Sequence, residues 1–405
     1  MSFPSALRSL NHRDFRLFWA GQGTSLIGTW MQRVGQAWLV LELTNSSFAL
    51  GAITALQWTP VLFLAFVAGA VADRVPKRRL IIFTQTALMT QALVLAALVW
   101  SGHVRVWHVA VLAGLLGIAS TMDMPARQSF IAEMVGVQDL VNAIALNSGV
   151  FNAARIVGPA VAGVVVARYG VAPAFFLNGL SFLAVIGALL AIRTEGRPRP
   201  RQDTTMLQEI REGIHYAVST PRIALLLSLL LAVGMFVMNF SVVVPLLARN
   251  VLHQGAHGFG FLMASLGVGA VAGAVGLAVL GHEGRPPLPF VVAPAFLVSA
   301  ATLSLAAVRQ LWLAAVMLFV IGFLQILFQA SCNTTLQVGV PGELRGRMMS
   351  LYSLVFAGVT PIGSFLVGSV AEAFGVPVAC ATTGSLGLML VAALTLRWRS
   401  RAAPR

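Results

Sequence analysis

Long apolar segments follow one another along almost the whole chain, separated by short polar connections. Each is close to the roughly 20 residues that an α-helix needs to cross the hydrocarbon core of a bilayer. The pattern predicts twelve membrane-spanning helices, over residues 16–42, 48–72, 80–100, 106–123, 142–167, 172–192, 222–248, 259–280, 288–308, 311–334, 350–371 and 375–396. The predicted fold class is therefore an all-α membrane protein.

One connection, over residues 193–221, is much longer and more highly charged than the others. It divides the chain into a predicted N-terminal six-helix bundle, residues 1–192, and a predicted C-terminal six-helix bundle, residues 222–405. The second part of this connection has helical spacing, with its apolar residues on one stripe: Leu207, Ile210, Ile214 and Ala217. We expect a short amphipathic helix there, lying on the cytoplasmic surface.

Composition agrees with a lipid-facing surface. The chain is 58% hydrophobic and only 10% charged, whereas a soluble domain has about 25% charged residues. The net charge of +14 gathers at the termini and on alternate connections, above all residues 74–79 and 193–222. The intervening connections carry single arginines: Arg105, Arg168, Arg249 and Arg309. This bias predicts a multi-pass protein of the cytoplasmic (inner) membrane with both termini in the cytoplasm, and it explains the charge without a nucleic-acid partner.

The two halves resemble each other weakly. The sequence SFALGAITA, residues 47–55, opens the second helix, and HGFGFLMAS, residues 257–265, opens the eighth. Likewise RIVGPAVAG, residues 155–163, parallels GVTPIGSFLVG, residues 358–368. Such repeats are common in secondary transporters, in which substrate binds near the midplane between the repeats.

The connection between the second and third helices reads GAVADRVPKRR. Small residues at Gly69 and Ala72 permit close helix approach, and the helix N-terminus favours an anion such as Asp73. The segment resembles the G-x-x-x-D-R-x-x-R-R loop of the major facilitator superfamily, through Gly69, Asp73, Arg74, Lys77, Arg78 and Arg79, with Pro76 as a departure. The resemblance implies a conformational latch at Asp73 and Arg74. For the basic residues that follow, positive-inside anchoring alone is an equal alternative.

The segment MDMPARQSF contains Asp123 just before Pro125, where we expect the fourth helix to end. In the superfamily an acid at this place bridges to the arginines of the preceding loop. The resemblance therefore implies a gating network of Asp73, Asp123 and basic partners that include Arg127. The alternative is an aspartate that simply ends a helix before proline.

The fifth predicted helix has one polar face, formed by Ser148, Asn152, Arg155 and Pro159. Gly158, Pro159 and Gly163 resemble part of the antiporter motif of superfamily drug exporters, G-x-x-x-G-P-x-x-G-G, with alanine in place of two glycines. The resemblance implies kinking and tight packing that favour efflux over uptake. A packing kink without a preferred direction is the alternative.

The first predicted helix carries Arg33 deep within the membrane span. It lies on a polar stripe with Gln22, Ser25, Thr29, Gln32 and Gln36. The opposite, apolar face is expected to include Trp30. Because such a stripe is costly in lipid, it should line a cavity or a protein interior. Together with the segment NHRDFRLFWAGQ before it, this helix resembles the drug/proton antiporter branch that includes the enterobactin exporter and macrolide efflux proteins.

Arg33 and Arg155 are the two deep charges of the predicted spans. An arginine stays protonated, so a cavity that contains both suits an anionic or catechol-like substrate held by charge-assisted hydrogen bonds. The alternative is that each arginine binds only helix carbonyls and amides such as Asn152 and Gln36. The second half contributes further polar candidates for the cavity: Asn239, Gln325 and Gln329.

The predicted function is secondary active transport, exporting a small drug-like or siderophore-like molecule by alternating access. The resemblance implies proton antiport, for which the candidate groups are Glu42, Asp73 and Asp123. An uptake permease of the same fold is the first alternative, and a membrane sensor or enzyme is the second. The scattered histidines form no catalytic, metal or phosphate-binding pattern, so we expect no enzyme activity, no cofactor and no metal. We expect a monomer.

Overall fold

The computed structural model describes residues 5–196, 206–280 and 287–402, and in these residues it contains helices and no strand. The α-helices are α1 Arg13–Thr44, α2 Ser47–Arg74, α3 Lys77–Trp100, α4 Val106–Tyr169, α5 Ala172–Ala191, α6 Met206–Ser219, α7 Pro221–Phe236, α8 Phe240–Leu246, α9 Ala256–Leu280, α10 Pro289–Ser304, α11 Leu311–Gly339, α12 Gly342–Gly358, α13 Thr360–Phe374 and α14 Val376–Ala402. Short 3₁₀ turns cover Ser5–Asn11 and Leu305–Ala307, and a π turn covers Leu247–Val251. The predicted all-α membrane fold is confirmed.

Ten spans in the described residues are long and apolar enough to cross a membrane, judged by length and composition. Two of the twelve predicted helices are missing from that set for physical reasons. Helix α1 carries glutamines and Arg33, which lower its mean hydropathy. The fourth and fifth predicted helices follow each other directly across a kink at Gly136, and both fall within the 64-residue range of α4. With α1 counted and α4 counted twice, the described residues are consistent with the twelve predicted helices.

Helix α4 corrects the predicted end of the fourth helix. The helix continues through Asp123 and Pro125, and its torsion angles become non-helical at Gly136, with φ 70° and ψ 174°. A proline removes one hydrogen-bond donor, which membrane helices tolerate. A positive φ is strained for residues with a side chain but readily adopted by glycine. The expected helix end at Asp123 is therefore wrong, and the turn of the chain lies at Gly136.

The seventh predicted helix is not continuous either. It is interrupted between α7 and α8, where Asn239 lies just before the second segment. The Asn239 amide nitrogen donates to the Met235 carbonyl over 2.7 Å, and the Ser364 hydroxyl donates to the Asn239 amide oxygen over 3.3 Å. The first bond satisfies a backbone carbonyl at the interruption, and the second joins Asn239 to α13. The predicted helix at residues 350–371 is likewise divided, at Val359.

The chain separates into two compact units. The first comprises Met1–Asn45, Thr59–Arg201 and Gln254–Ala264, and the second comprises Ser46–Trp58, Gln202–His253 and Ser265–Arg405. The segment predicted to hold a short amphipathic helix contains α6. The predicted boundaries of the two bundles and the linker, and the position of α6 on the membrane surface, stay predictions.

Small residues make a matching contact in each unit. In the first unit, a Cβ added to Gly260 would lie 2.7 Å from the Cα of Gly163. In the second unit, a Cβ added to Gly51 would lie 2.8 Å from the Cα of Gly368. All four glycines belong to the segments in which the sequence repeat was found. The repeat therefore preserves a place where two helix backbones come close together.

A cluster of large apolar side chains holds one end of the first unit together. Phe15 and Phe18 of α1 are fully buried with Phe130 of α4 and Ile81 of α3. The rings of Phe18 and Phe130 lie 6.0 Å apart, edge to face, an arrangement that stabilises aromatic pairs. This cluster packs α1, α3 and α4 together beside the charged residues described below.

Candidate functional site

Arg33 and Arg155 lie on two helices of the first unit that pack closely together. The close approach occurs at Gly158 of α4, where a Cβ would lie 2.5 Å from the Trp30 Cβ and 2.8 Å from the Ile27 carbonyl oxygen of α1. A larger residue would separate the two helices. Gly158 therefore determines how near α1, which carries Arg33, comes to α4, which carries Arg155.

Trp30 is a contact residue of this site that the sequence interpretation placed on the wrong face. The Arg33 guanidinium carbon lies 4.5 Å from the centre of the Trp30 ring, within the range of a cation–π interaction. The same ring lies 5.8 Å from that of Phe151 on α4. Residues three apart are neighbours on a helix surface, so the spacing of Trp30 and Arg33 was the available signal. Trp30 links Arg33 to α4.

Arg155 has buried donors without an acceptor. Its Nε and Nη2 atoms are buried and have no hydrogen-bond partner within the described residues. The neighbouring amide that could have bound it, Asn152, donates instead to the Ser148 carbonyl over 2.9 Å. A buried, charged and unsatisfied donor is costly unless a ligand or water completes it. This arrangement favours a role for Arg155 in binding an acceptor from outside the chain.

The other predicted residues of the stripe differ in their surroundings. The Gln22 amide oxygen is buried with no partner in the part of the chain described here. The Thr29 hydroxyl donates to the Ser25 carbonyl over 2.9 Å, and Gln36 is buried. Gln22 thus resembles Arg155 in presenting an unsatisfied polar atom, whereas the hydroxyl of Thr29 is bound within its own helix.

Gln32, a member of the predicted stripe, belongs to a buried amide network whose other members were not predicted. The Gln32 amide nitrogen donates to Gln91 of α3 over 2.9 Å, and Gln32 accepts from the amide of Asn178 on α5 over 2.5 Å. Ser181 extends the network by donating to the Asn178 carbonyl over 2.7 Å. Isolated glutamine and asparagine residues within apolar runs were the available signal. The network joins three helices, so this side of α1 faces protein.

The polar candidates of the second half lie in the second unit. Asn239 is bound to Met235 and Ser364, as described above. The Gln329 amide nitrogen lies 3.4 Å from the Met238 sulfur, and Gln325 is half-buried on the same helix, α11. Their contribution to a substrate cavity stays a prediction.

The first residue of α3 forms an ion pair that was not predicted from the sequence. Lys77 is 0% exposed, and its ammonium nitrogen lies 2.8 Å from a carboxylate oxygen of Glu133 on α4. Arg78 donates to the Leu189 and Leu190 carbonyls at the end of α5, over 2.6 and 3.0 Å. Arg79 is exposed. Of the three basic residues, the first two bind other helices and the third is consistent with surface anchoring.

Asp123 and Asp73 are not brought together. Asp123 is buried and pairs with Arg127 over 2.7 Å, while accepting from the Thr84 hydroxyl over 2.7 Å and from the Gln85 amide over 3.0 Å. Asp73 and Arg74 are exposed. In the described residues, Asp123 therefore has a partner on its own helix rather than in the preceding loop, because α4 continues past Pro125 and places Arg127 one turn away.

The expected close approach at Gly69 is also not present. Among the described residues, no heavy atom lies within 4 Å of a Cβ added there. Ala72, the other residue of this prediction, is buried, as is Ala68. These two are four residues apart and share a helix face that Gly69 does not.

The N-terminal segment docks on α4 through charges that were not predicted as a site. The Arg8 guanidinium pairs with the carboxylate of Asp139, and the His12 ring nitrogen lies 2.7 Å from the same carboxylate. The bond to His12, assisted by the charge of Arg8, holds the pKa of Asp139 below its usual range. Ser9 adds a bond to the Asp139 carbonyl over 3.0 Å. The cluster fixes the N-terminal turn beside the break at Gly136.

The antiporter-like segment of α4 packs tightly on two sides. Gly158 faces α1, and Gly163 faces Gly260 of α9. Pro159 lies within the same helix, and its carbonyl oxygen would lie 2.6 Å from a Cβ on Gly260. The non-helical torsion angles of α4 lie at Gly136 and not at Pro159. Tight packing is thus present, while the preferred direction of transport is a separate question.

Replacing Gly158 by alanine is expected to reduce transport strongly and to lower stability by about 2 kcal/mol, because the added methyl group enters the α1–α4 contact. Gly149, on the same helix, has no heavy atom near an added Cβ. Gly149→Ala should leave both properties within error, or improve stability slightly. Thermal unfolding and export of the two purified variants would be measured together. Equal behaviour of the two variants would show that the close approach is unimportant.

The remaining carboxylate predicted for proton coupling, Glu42, is exposed near the end of α1. In the described residues there is no group of three or more histidine, cysteine, aspartate or glutamate residues that could hold a metal ion. Cys332 and Cys380 are both buried and unpaired by disulfide. The chemistry offered by the site is therefore that of arginine, amide and aromatic groups, which bind and orient a molecule.

A protein family described as transmembrane secretion effectors matches residues 4–404. Among curated proteins, the chain is 24% identical to the staphyloferrin A transporter of Staphylococcus aureus, over 89% of this chain and 90% of that protein. It is 28% identical to the multidrug efflux pump Tap of Mycolicibacterium fortuitum, with 87% and 88% covered. It is 25% identical to the enterobactin exporter EntS of Shigella flexneri, with 95% and 91% covered.

Solved structures of transporters share the fold. A POT family transporter in complex with 5-aminolevulinic acid superposes with a TM-score of 0.78 at 9% identity, covering 96% of each chain. The POT family transporter PepTSo gives a TM-score of 0.78 at 11% identity, with 97% of this chain and 99% of that chain covered. At such low identity the likeness extends to the fold alone.

Proposed function

Because the chain belongs to the transmembrane secretion effector family of the major facilitator superfamily, we propose that it exports a small organic anion from the cytoplasm in exchange for protons. The chain is a secondary transporter that exports small molecules, and it is not an enzyme. The proposal adds the charge of the substrate, the residues that bind it and the coupling ion.

The observation that supports the proposal most strongly is the burial of the Arg155 guanidinium. Two of its nitrogen atoms are buried without a hydrogen-bond acceptor in the described residues, on the helix that packs against the one bearing Arg33. An anionic oxygen would accept from a guanidinium with a charge-assisted bond, which is about twice as strong as a neutral one. Trp30, held between Arg33 and Phe151, provides an aromatic surface beside the charge. The unpaired amide oxygen of Gln22 would orient a hydroxyl or amine of the same molecule.

The names of the relatives favour the same class of substrate. Two of them are named for siderophores, staphyloferrin A and enterobactin. The third is named as a multidrug pump. We expect this chain to resemble the first two, since two deep arginines disfavour a cationic substrate.

Asp123 is the best supported of the coupling candidates. It is buried, and its carboxylate is bound by Arg127, Thr84 and Gln85. Protonation would remove the charge that holds Arg127 and would free that arginine to move. Glu42 and Asp73 are exposed, and neither forms an ion pair within the described residues.

The arrangement in the membrane also belongs to the proposal. The concentration of lysine and arginine on alternate connections supports cytoplasmic termini in a bacterial inner membrane. The predicted monomer is retained, because one chain contains both repeats of the fold.

Transport into inverted membrane vesicles tests direction and coupling together. Vesicles containing the transporter should accumulate labelled staphyloferrin A or enterobactin when their interior is made acidic, and nigericin, which collapses the pH gradient, should abolish accumulation. Asp123→Asn should remove the dependence on the gradient. Accumulation that ignores the gradient would overturn proton antiport. Accumulation in right-side-out vesicles would instead show an uptake permease.

A further inference from the structure

Glu372, near the end of α13, binds the first turn of α2. Its Oε2 atom accepts from the Ser47 backbone N–H over 2.6 Å, from the Phe48 backbone N–H over 3.1 Å and from the Ser46 hydroxyl over 3.1 Å. All four residues belong to the second unit. One carboxylate oxygen from a distant part of the chain thus receives three donors at the start of a helix.

These bonds complete the beginning of α2. The first N–H groups of a helix have no partner within the helix, and together they present a partial positive charge. Glu372 accepts from the first two, and the Ser46 hydroxyl accepts from the next, that of Ala49, over 3.1 Å. Glu372 therefore supplies an acceptor to N–H groups that have no partner within their own helix.

The same region contains the tight contact of the second unit. Gly51 and Gly368 bring the backbones of α2 and α13 together. The rings of Phe48 and Phe365 lie 5.4 Å apart at an angle of 72°. Glu372 lies one turn beyond Gly368, and so it fastens the end of a contact that small residues have already made close.

The corresponding contact of the first unit has no such carboxylate. Gly163 corresponds to Gly368, and Gly170 corresponds to Gly375. Gly170 and Gly375 each follow the end of a helix, with φ 80° and 88°. In this alignment the position of Glu372 is occupied by Ala167. Because the first unit forms its contact without a carboxylate, close packing of the helices does not require Glu372. The carboxylate is a feature of the contact in the second unit, additional to packing.

The carboxylate is open to protons from the adjoining solution, since Glu372 is exposed. Residues 47–58 and α8 contain no ionisable side chain. In the part of α14 that directly follows Gly375, the ionisable group is the buried thiol of Cys380. His253 and Arg309 line a cavity of about 370 Å³ with Ala371 and Gly375. In the described residues neither forms an ion pair with Glu372.

We propose that Glu372 is a pH-sensitive latch. In its ionised form it holds the start of α2 against α13, and its protonation releases this end of α2. The charge pattern predicts that this end faces the outside of the cell, so acid outside the cell would favour the conformation that is open to the outside. This regulation goes beyond the proposed export function and does not depend on proton antiport, because an exposed group at one surface senses pH without carrying a proton across.

Spin labels on the two helices would report the contact directly. The labels would replace Phe48 and Phe365 through cysteines, in a background with Cys332→Ala and Cys380→Ala, and dipolar broadening would be followed in lipid from neutral to acidic pH. We expect broadening to decrease as the carboxyl titrates. With Glu372→Gln, the ratio of closed to open forms should fall about fivefold at neutral pH and should no longer depend on pH.

Two further variants keep the result interpretable. Glu42→Gln removes another exposed carboxylate and should retain the full pH response. Ser46→Ala removes one of the three donors and should give a smaller decrease than Glu372→Gln. Size-exclusion profiles equal to that of the parent protein would show that each variant is folded. A parent contact that is constant with pH, or a Glu372→Gln protein with the parent response, would overturn the latch. Neither outcome bears on the direction or coupling of transport in vesicles.

Discussion

Replacing Arg155 by leucine is expected to abolish export and, at the same time, to raise the melting temperature of the transporter without substrate. The guanidinium has two buried nitrogen atoms without acceptors, so removing the charge relieves a desolvation cost. We expect an increase of at least about 2 °C. Thermal unfolding of purified protein and transport in vesicles would be measured on the same preparation.

Arg168 provides the matched control, because it is an exposed arginine near the end of the same helix. Arg168→Leu should leave both transport and melting temperature close to those of the parent protein. Arg33→Ala should also abolish export, by removing the cation that lies over Trp30. If Arg155→Leu instead lowered the melting temperature, Arg155 would be a structural residue and the proposed anion site would be wrong.

Replacing Glu133 by alanine is expected to lower the free energy of unfolding by about 3 kcal/mol, because it leaves the ammonium group of Lys77 buried without its carboxylate. Lys77 is 0% exposed, and its ammonium nitrogen lies 2.8 Å from a carboxylate oxygen of Glu133. The change should also prevent correct insertion of a large fraction of the protein. Denaturation in mixed micelles and the yield of folded protein would measure both effects.

Restoring the pair as apolar residues should recover most of this loss. The double variant Lys77→Met with Glu133→Leu removes both charges and retains volume, and replacement of this kind is often neutral or stabilising. Arg79→Ala, at an exposed position in the first turn of α3, should have little effect. A double variant as unstable as Glu133→Ala would show that the charges themselves hold α3 and α4 together in a way that packing cannot replace.

The apolar runs predicted most of the fold, because the length of a membrane helix is set by the bilayer. The repeat segments also located the glycines that bring helices together, at Gly51 and Gly163. The sequence did not show that α4 continues through Pro125, since proline ends helices in water more often than in membranes. Nor did it show the break before Asn239, where a side-chain amide compensates for lost backbone bonds.

The site was predicted less completely than the fold. The stripe of polar residues identified Arg33 and Arg155, because charge within an apolar run is conspicuous. The partners of charged groups depend on contacts between helices that are distant in sequence. For that reason Glu133 was not recognised as the partner of Lys77, and Asp139 was not recognised as the partner of Arg8. Glu372 was visible as an acid near a helix end, but its donors lie more than 300 residues away, on α2.

The most direct test of the account compares an anion with a cation in the same energised inverted vesicles. Staphyloferrin A and enterobactin would be measured beside the cationic dye ethidium, with the parent protein and with Arg155→Leu. The account predicts that at least one siderophore accumulates with the parent protein, that ethidium does not, and that Arg155→Leu accumulates neither siderophore. Accumulation of ethidium alone, or unchanged siderophore transport by Arg155→Leu, would contradict it.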